Sequence, residues 1–159
     1  MSTTQQLEHA NEEYAASFAK GALPMPPGRR FAVVTCMDAR LDPAKFLGLD
    51  EGDAHVIRNA GGLVNDETIR SLVISHHLLG TQEAVVIGHS DCGMLTFTND
   101  DLHGKLGPAS THIDFQPFPD VAARVRQSVE TIRSSPLLPG SFDASGFVYH
   151  VETGRLEPV

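Results

Sequence analysis

Four short apolar runs, separated by segments long enough to hold a helix, constrain the fold of this chain more than any other feature. The runs lie at residues 31–35, 54–58, 84–88 and 147–151. Runs of this length, bounded by glycine and polar residues, are typical of parallel strands that are buried on both faces and joined by helical crossovers. We therefore predict an α/β fold with a mainly parallel sheet of four strands, flanked by helices. The turn signal at 152–154 predicts a short antiparallel strand at the carboxyl end.

Helical patterns fill the longer segments between these runs. One helix is predicted between the capping residue Asn65 and the terminating Gly80, and another over residues 118–134. Both carry apolar side chains at helical spacing, so both are expected to pack on the sheet. Residues 99–116 are polar and irregular, and they predict only a short helix and a loop.

The amino-terminal segment differs in character from the rest of the chain. A helix with a thin apolar stripe is predicted over residues 5–20. Three prolines within 23–28 separate it from the first strand, because proline removes an amide donor and fixes φ. We interpret residues 1–159 as one domain with an amino-terminal arm and connector over 1–28. The stripe on the arm is expected to pack against a second subunit.

Composition and charge exclude several classes of protein. Twelve basic and twenty acidic residues give a formal net charge of −8, which repels nucleic-acid phosphates and anionic membranes. No apolar stretch approaches the roughly 20 residues of a membrane span. Residues 1–6 lack the basic and apolar stretches of a signal peptide, so a cytoplasmic protein is expected. Two cysteines are too few for a disulfide framework and need another explanation.

The two cysteines follow two of the apolar runs, at the strand ends where parallel sheets place their ligands. Cys36 follows the first run, and His89 and Cys92 follow the third within one turn of chain. Two thiolates and an imidazole suit Zn²⁺, which binds nitrogen and sulfur donors tetrahedrally. Catalytic zinc keeps three protein ligands and one open position, so this set predicts a zinc site.

Asp38 and Arg40 alternate with Cys36 and are expected to surround the same site. An arginine beside a carboxylate keeps it ionised and holds its rotamer, so Arg40 would orient Asp38. Without that restraint Asp38 can bind the metal as a fourth ligand, which gives a closed form of the site. The same residues therefore encode both an open catalytic site and a closed site.

Less specific interpretations of these residues stay open. Cys36 and Cys92 could be two buried apolar thiols, since free cysteine is common in protein cores, but Asp38, Arg40 and His89 would then have no role. A structural zinc with Asp38 as its permanent fourth ligand is a second alternative. A redox pair is disfavoured because the chain has no Cys-x-x-Cys motif.

Three segments resemble the β-class carbonic anhydrases, in order and in surroundings. They are Cys36-Met37-Asp38-Ala39-Arg40, Arg58-Asn59-Ala60-Gly61 and Gly88-His89-Ser90-Asp91-Cys92-Gly93. The resemblance extends from about residue 31 to residue 154 and is weakest over 109–119. The chain has no tryptophan, so it cannot form the tryptophan-containing bicarbonate site of some bacterial members. It is more similar to the small prokaryotic branch of the family.

The resemblance implies a role for each matching residue. It makes the three predicted ligands the zinc ligands of the family and makes Asp38 with Arg40 the catalytic dyad. Gly93 matches the family glycine whose amide faces the substrate. The implied reaction is the zinc-dependent, reversible hydration of carbon dioxide to bicarbonate and a proton, through zinc-bound hydroxide.

Two alternative functions stay open, and the resemblance also implies an oligomeric state. Hydrolysis of carbonyl sulfide or carbon disulfide by the same type of zinc site is the alternative reaction. A non-catalytic zinc-binding sensor, whose site stays closed, is a less favoured alternative function. The family builds its clefts at subunit boundaries, which implies self-association as a homodimer or tetramer.

Overall fold

The apolar runs form one five-stranded sheet in the computed structural model, which describes residues 1–159. The strands are β1 (Phe31–Cys36), β2 (Ala54–Asn59), β3 (Glu83–His89), β4 (Asp143–His150) and β5 (Arg155–Pro158). Their order in the sheet is β2-β1-β3-β4-β5; the first four are parallel and β5 is antiparallel to β4. The predicted α/β fold, with its antiparallel terminal strand, is confirmed.

Five α-helices precede and connect these strands. They are α1 (Thr3–Ala16), α2 (Pro43–Leu47), α3 (Asp66–His77), α4 (Asn99–Leu106) and α5 (Val121–Arg133). The predicted helices near 65–80 and 118–134 are confirmed as α3 and α5, and the side chains of Asn65 and Asp120 cap them. The irregular segment 99–116 contains α4 and a short 3-10 turn.

Two predicted boundaries differ from the structure by four residues, more than any other. β4 begins at Asp143 rather than at 147, because its polar and small first residues pair with β3, and this pairing overrides their low strand propensity. α1 ends at Ala16 rather than at 20. The hydroxyl of Ser17 donates to a carbonyl of the last turn, a local bond that competes with continuation of the helix.

The short helix α2 is absent from the sequence-based prediction. Its five residues are too few to show a helical period. The local signals are nevertheless complete. The Asp42 side chain accepts a hydrogen bond from the Lys45 amide, Pro43 occupies the first turn, and Gly48 ends the helix in the left-handed conformation.

The main core lies between one face of the sheet and helices α3 and α5. Alternate residues of β1, β3 and β4 contact the apolar side chains of these helices, which include the fully buried Leu72 and Ile132. α5 approaches the sheet closely at Gly88, where an added Cβ would lie 2.7 Å from Cγ atoms of Val121 and Val125. This packing fixes the carboxyl end of β3, from which two of the predicted ligands extend.

The opposite face of the sheet is less completely covered. α2 and the residues after it pack on β1, where Phe31 and Val33 are buried. Beside them a groove of about 310 Å³ stays open to solvent. It is lined by Arg29, Phe31, Leu47, Glu83, Val85, Phe147 and Leu156. An apolar groove on a sheet face is available to another chain.

The amino-terminal arm (residues 1–28) does not cover that groove. Every residue of α1 is exposed, and the helix is tethered only near its end, where Tyr14 donates to Glu51 at 3.3 Å and Lys20 pairs with the same carboxylate. None of the helices has the length and apolar character needed to cross a membrane. The cytoplasmic location and the extent of the domain stay predictions.

Candidate metal centre

The three predicted ligands converge at the carboxyl edge of the sheet. Cys36 ends β1 and His89 ends β3, and these strands are parallel neighbours. Cys92 follows three residues after His89, at the start of a short 3-10 turn. The ligand atoms of the three residues lie within 4.8 Å of one another, and all three side chains are buried. The three side chains therefore meet at one edge of the sheet, as their positions after β1 and β3 predict.

His89 has one ring nitrogen in place for a metal. Its Nδ1 lies 2.8 Å from the carbonyl oxygen of Ser90, to which it donates, and this bond fixes the tautomer. The buried Nε2 has no hydrogen-bond partner. An unpaired buried polar atom costs about 1–3 kcal/mol, and a metal bond would remove that cost. The donor set and this free nitrogen fit Zn²⁺.

The two thiols differ in their electrostatic surroundings. A hydrogen bond from Cys92 is the main cause that lowers the pKa of Cys36 to about 4; the Gly61 amide, 3.4 Å from Sγ, also favours the thiolate, and burial opposes the shift. The Cys36 thiolate and burial raise the pKa of Cys92. A divalent cation bound by both sulfur atoms would favour ionisation of both thiols.

Asp38 is held by Arg40 beside the three ligands. Arg40 Nε and Nη2 donate to Asp38 Oδ1 and Oδ2 at 3.0 and 2.8 Å, and the Arg40 amide donates to Oδ1 at 2.9 Å. Asp38 Oδ2 lies 3.8 Å from Nε2 of His89. The structure therefore brings the predicted dyad to the site, with the carboxylate paired to arginine.

The ion pair stabilises the charged form of Asp38. The side-chain hydrogen bonds from Arg40 hold the pKa of Asp38 well below its usual range. Since the folded-state pKa lies below the unfolded value of about 4, the pair adds stability above that pH and loses it as the pH falls towards the folded value. Asp38 is thus an ionised acceptor throughout the neutral and alkaline range.

Arg58 supports the backbone of the site, a contact that the sequence did not predict. It lies beside Thr35 on the edge strand β2, and its Nε and Nη2 donate to the carbonyl oxygens of Cys36 and Asp38 at 2.9 and 2.7 Å. These bonds fix the backbone that carries the first ligand and the dyad carboxylate. Its place in a segment that resembles the family was the only available signal.

The loop after β2 closes against the backbone of the first ligand. Gly62 has a φ of +62°, and an added Cβ would lie 2.9 Å from the Thr35 carbonyl carbon and 3.0 Å from the Cys36 nitrogen. Only glycine meets both requirements, the left-handed backbone and the close approach. Asn59 holds the same loop, because its amide accepts from and donates to the backbone of Leu63.

We expect Gly62→Ala to lower the free energy of unfolding by about 2–4 kcal/mol, from left-handed strain plus displacement of the Cys36 backbone. Gly48→Ala is the matched control, because Gly48 has a φ of +61° and open space around its Cα. It should cost only the strain, about 1 kcal/mol. Urea unfolding of both variants measures the difference, and equal losses would contradict the close approach.

A small cavity opens beside the three ligands. Its volume is about 230 Å³, and its lining is mainly apolar. The lining residues are Cys36, Met37, Asp38, Ala60, Gly61, Cys92, Gly93 and Met94. Gly93 presents its backbone to this space, since no atom lies within 4 Å of the position of an added Cβ. The cavity suits a small, uncharged molecule next to a metal and a carboxylate.

Comparisons with known proteins agree with this geometry. The family model described as carbonic anhydrase matches residues 31–116, more than half of the chain. Beta-carbonic anhydrase 1 of Mycobacterium tuberculosis is 47% identical over 163 residues, which cover 100% of this chain and 99% of that protein. The chain belongs to the β-carbonic anhydrase family. The resemblance in the sequence motifs is thereby confirmed. The chain is an enzyme of a family that uses zinc.

Other members and relatives of the β-carbonic anhydrase family extend the comparison. The solved structure of the carbonic anhydrase from Glaciozyma antarctica superposes with a TM-score of 0.92 at 49% identity, covering 99% of each chain. A carbon disulfide hydrolase of Acidithiobacillus thiooxidans is 34% identical over 181 residues, which cover 99% of this chain and 91% of that protein. Proteins named carbonic anhydrase and carbon disulfide hydrolase thus both match nearly the whole chain.

Proposed function

We propose that this β-carbonic anhydrase catalyses the reversible hydration of carbon dioxide to bicarbonate and a proton, with Zn²⁺ held by Cys36, His89 and Cys92. One observation carries the proposal. Two thiols and a free imidazole nitrogen converge beside a cavity, while the nearby Asp38 carboxylate is paired with Arg40 and stays outside that three-ligand group. Three ligands with a restrained carboxylate are what a catalytic zinc site requires.

The residues divide the chemistry among them. When bound, Zn²⁺ supplies Lewis acidity that makes water a nucleophile near neutral pH. Asp38 Oδ2 would accept a hydrogen bond from the attacking water and so orient it. Arg40 holds the carboxylate in place. The backbone of Gly93 faces the substrate, and the apolar walls provided by Met37 and Met94 limit the water in the cavity.

Stopped-flow measurement of proton release from dissolved carbon dioxide tests this proposal. Zinc-loaded protein should accelerate hydration in proportion to its zinc content, and removal of zinc by a chelator should abolish the acceleration. Protein that holds one zinc per chain and gives no acceleration would contradict the proposal. Such a result would favour the non-catalytic zinc sensor.

Hydrolysis of carbon disulfide or carbonyl sulfide is the alternative function, and one observation favours it. Relatives named carbon disulfide hydrolase match 91–99% of this chain at 34% identity. The proposal for carbon dioxide rests on the 47% identity of the beta-carbonic anhydrases over the whole chain. Parallel assays with carbon dioxide, carbonyl sulfide and carbon disulfide decide between them, and faster turnover of a sulfur compound would reverse the assignment.

Self-association as a homodimer, with pairing of dimers into a tetramer, is part of the same proposal. Leu7, Tyr14 and Phe18 of the amino-terminal arm are 48–66% exposed, and none of them belongs to a buried apolar cluster. The groove beside β1 likewise has no covering element. A second copy of the chain supplies both surfaces with a partner, because the arm of one subunit can pack on the sheet face of the other.

The arm is expected to control the oligomeric state. In sedimentation at micromolar concentration the wild-type chain should exceed its monomer mass of 17.1 kDa, and a Leu7→Asp/Phe18→Asp variant should sediment as the monomer. Leu106→Asp is the matched control, since Leu106 is an equally exposed leucine on α4. A monodisperse wild-type monomer, or dissociation by the control, would refute this role of the arm.

A further inference from the structure

The guanidinium of Arg40 binds a second residue that has no part in the function proposed above. Arg40 Nη1 donates to Asp91 Oδ2 at 2.7 Å, and Nη2 donates to the Asp91 carbonyl oxygen at 2.9 Å. Asp91 lies between His89 and Cys92, in the loop that carries two of the three ligands. Arg40 therefore connects the loop after β1 to the loop after β3, with Asp38 on one edge and Asp91 on the other.

The backbone of Asp91 is shaped for this contact. Its φ of +53° lies in the left-handed region, which costs free energy for residues other than glycine and which aspartate tolerates better than most. The conformation directs both the carbonyl and the carboxylate of Asp91 to one guanidinium. Strained residues of this kind persist where the surrounding structure holds them, often next to functional groups.

We propose that Asp91 is a positioning residue, which anchors the outer edge of the Arg40 guanidinium and thereby keeps Asp38 off the metal. The inference rests on the proposed function. Arg40 and Asp91 are both well exposed, with side-chain accessibilities of 47% and 70%, so Arg40 has no buried packing to hold its direction. Without Asp91 the Arg40 side chain would keep only its hydrogen bonds to Asp38, and the two side chains could shift together. The carboxylate would then be free to approach His89 and the other ligands.

The exposure of Asp91 indicates that its role is geometric. A carboxylate that is 70% accessible is well solvated, so its charge acts weakly on the site. The acceptor oxygens of Asp91 are fixed in position, and they orient the guanidinium of Arg40. An asparagine, which offers one acceptor oxygen and also tolerates the left-handed backbone, should therefore replace it in part.

Three variants separate these contributions. Asp91→Gly removes the side-chain acceptor and relieves the backbone strain, so the loop itself is not penalised. Asp91→Asn keeps one acceptor oxygen and removes the charge. Asp100→Asn is the control for charge, because Asp100 is an exposed aspartate on α4 whose side chain makes no hydrogen bond.

Two measurements are made on each purified variant. The first is the split between kcat and KM for carbon dioxide hydration at equal zinc content. The second does not depend on turnover: the protein is loaded with Co²⁺, and azide binding is followed in its visible absorption spectrum. An anion needs an open metal position, so a carboxylate that occupies this position weakens the apparent affinity for azide.

We expect kcat and azide affinity of Asp91→Gly each to fall about tenfold, with little change in KM and full zinc content. Asp91→Asn should lie between the wild type and Asp91→Gly, and Asp100→Asn should match the wild type. An Asp91→Gly protein that equals the wild type in both measurements would overturn the inference. So would one that loses its zinc, since Asp91 would then support the ligands directly.

The azide titration separates this inference from the proposed function. If the wild-type protein binds zinc but does not hydrate carbon dioxide, the proposed function fails. The order of azide affinities among the variants still decides the role of Asp91 in that case.

Discussion

Replacement of Cys92 with serine should leave the purified chain without zinc and without hydration activity. The change removes one of three ligands and replaces a soft thiolate with a hydroxyl that stays protonated at neutral pH. Structural zinc sites contribute about 10–16 kcal/mol in total, so the loss of one ligand is worth several kcal/mol, on the order of 100-fold or more in Kd. Elemental analysis and zinc titration measure the loss.

The same test applies to the imidazole ligand and has a matched control. His89→Ala should also release zinc, because Nε2 of His89 is the free buried nitrogen of the site. One ring nitrogen of His103 likewise lies 2.9 Å from a backbone carbonyl oxygen, that of Ile113. His103 lies outside the three-ligand group. His103→Ala should keep full zinc. Wild-type zinc content in Cys92→Ser or His89→Ala protein would disprove the ligand assignment.

The grouping of Cys36, His89 and Cys92 could be predicted from the sequence because it depends on a simple topological rule. Cys36 and His89 directly end two apolar runs, and the carboxyl ends of parallel strands meet at one edge of the sheet. No long-range detail is needed to bring them together. The pairing of Asp38 with Arg40 was predictable for a similar reason, since only one residue separates them and their bonds are local.

The contacts that hold the site could not be predicted in the same way. Asp91 and Arg58 are ordinary charged residues in the sequence, and their partners Arg40 and Cys36 come from a different strand end. Such contacts depend on side-chain direction and on one left-handed residue, neither of which leaves a periodic pattern. The polar start of β4 at Asp143 is likewise fixed by its neighbour in the sheet and not by its own residues.

Arg40→Ala is expected to keep zinc while it lowers the hydration rate by about 10–100-fold, the usual effect of losing a residue that orients a group beside a metal. All three ligands remain in this variant, but nothing holds the Asp38 carboxylate in its present direction. Arg70→Ala is the matched control, because Arg70 makes an equivalent two-pronged ion pair with Glu67 on the exposed surface of α3. The control should have wild-type zinc content and wild-type activity.

The pH dependence distinguishes loss of position from loss of charge at Asp38. Without Arg40 the pKa of Asp38 should rise towards its ordinary value of about 4, so the carboxylate stays ionised from neutral to alkaline pH. The deficit of Arg40→Ala should therefore be similar at pH 7 and at pH 9. A deficit that disappears as the pH rises would mean that, without Arg40, Asp38 occupies the open metal position at neutral pH and gives it up to hydroxide at alkaline pH. Full activity in the zinc-loaded variant at both pH values would remove Arg40 from the mechanism.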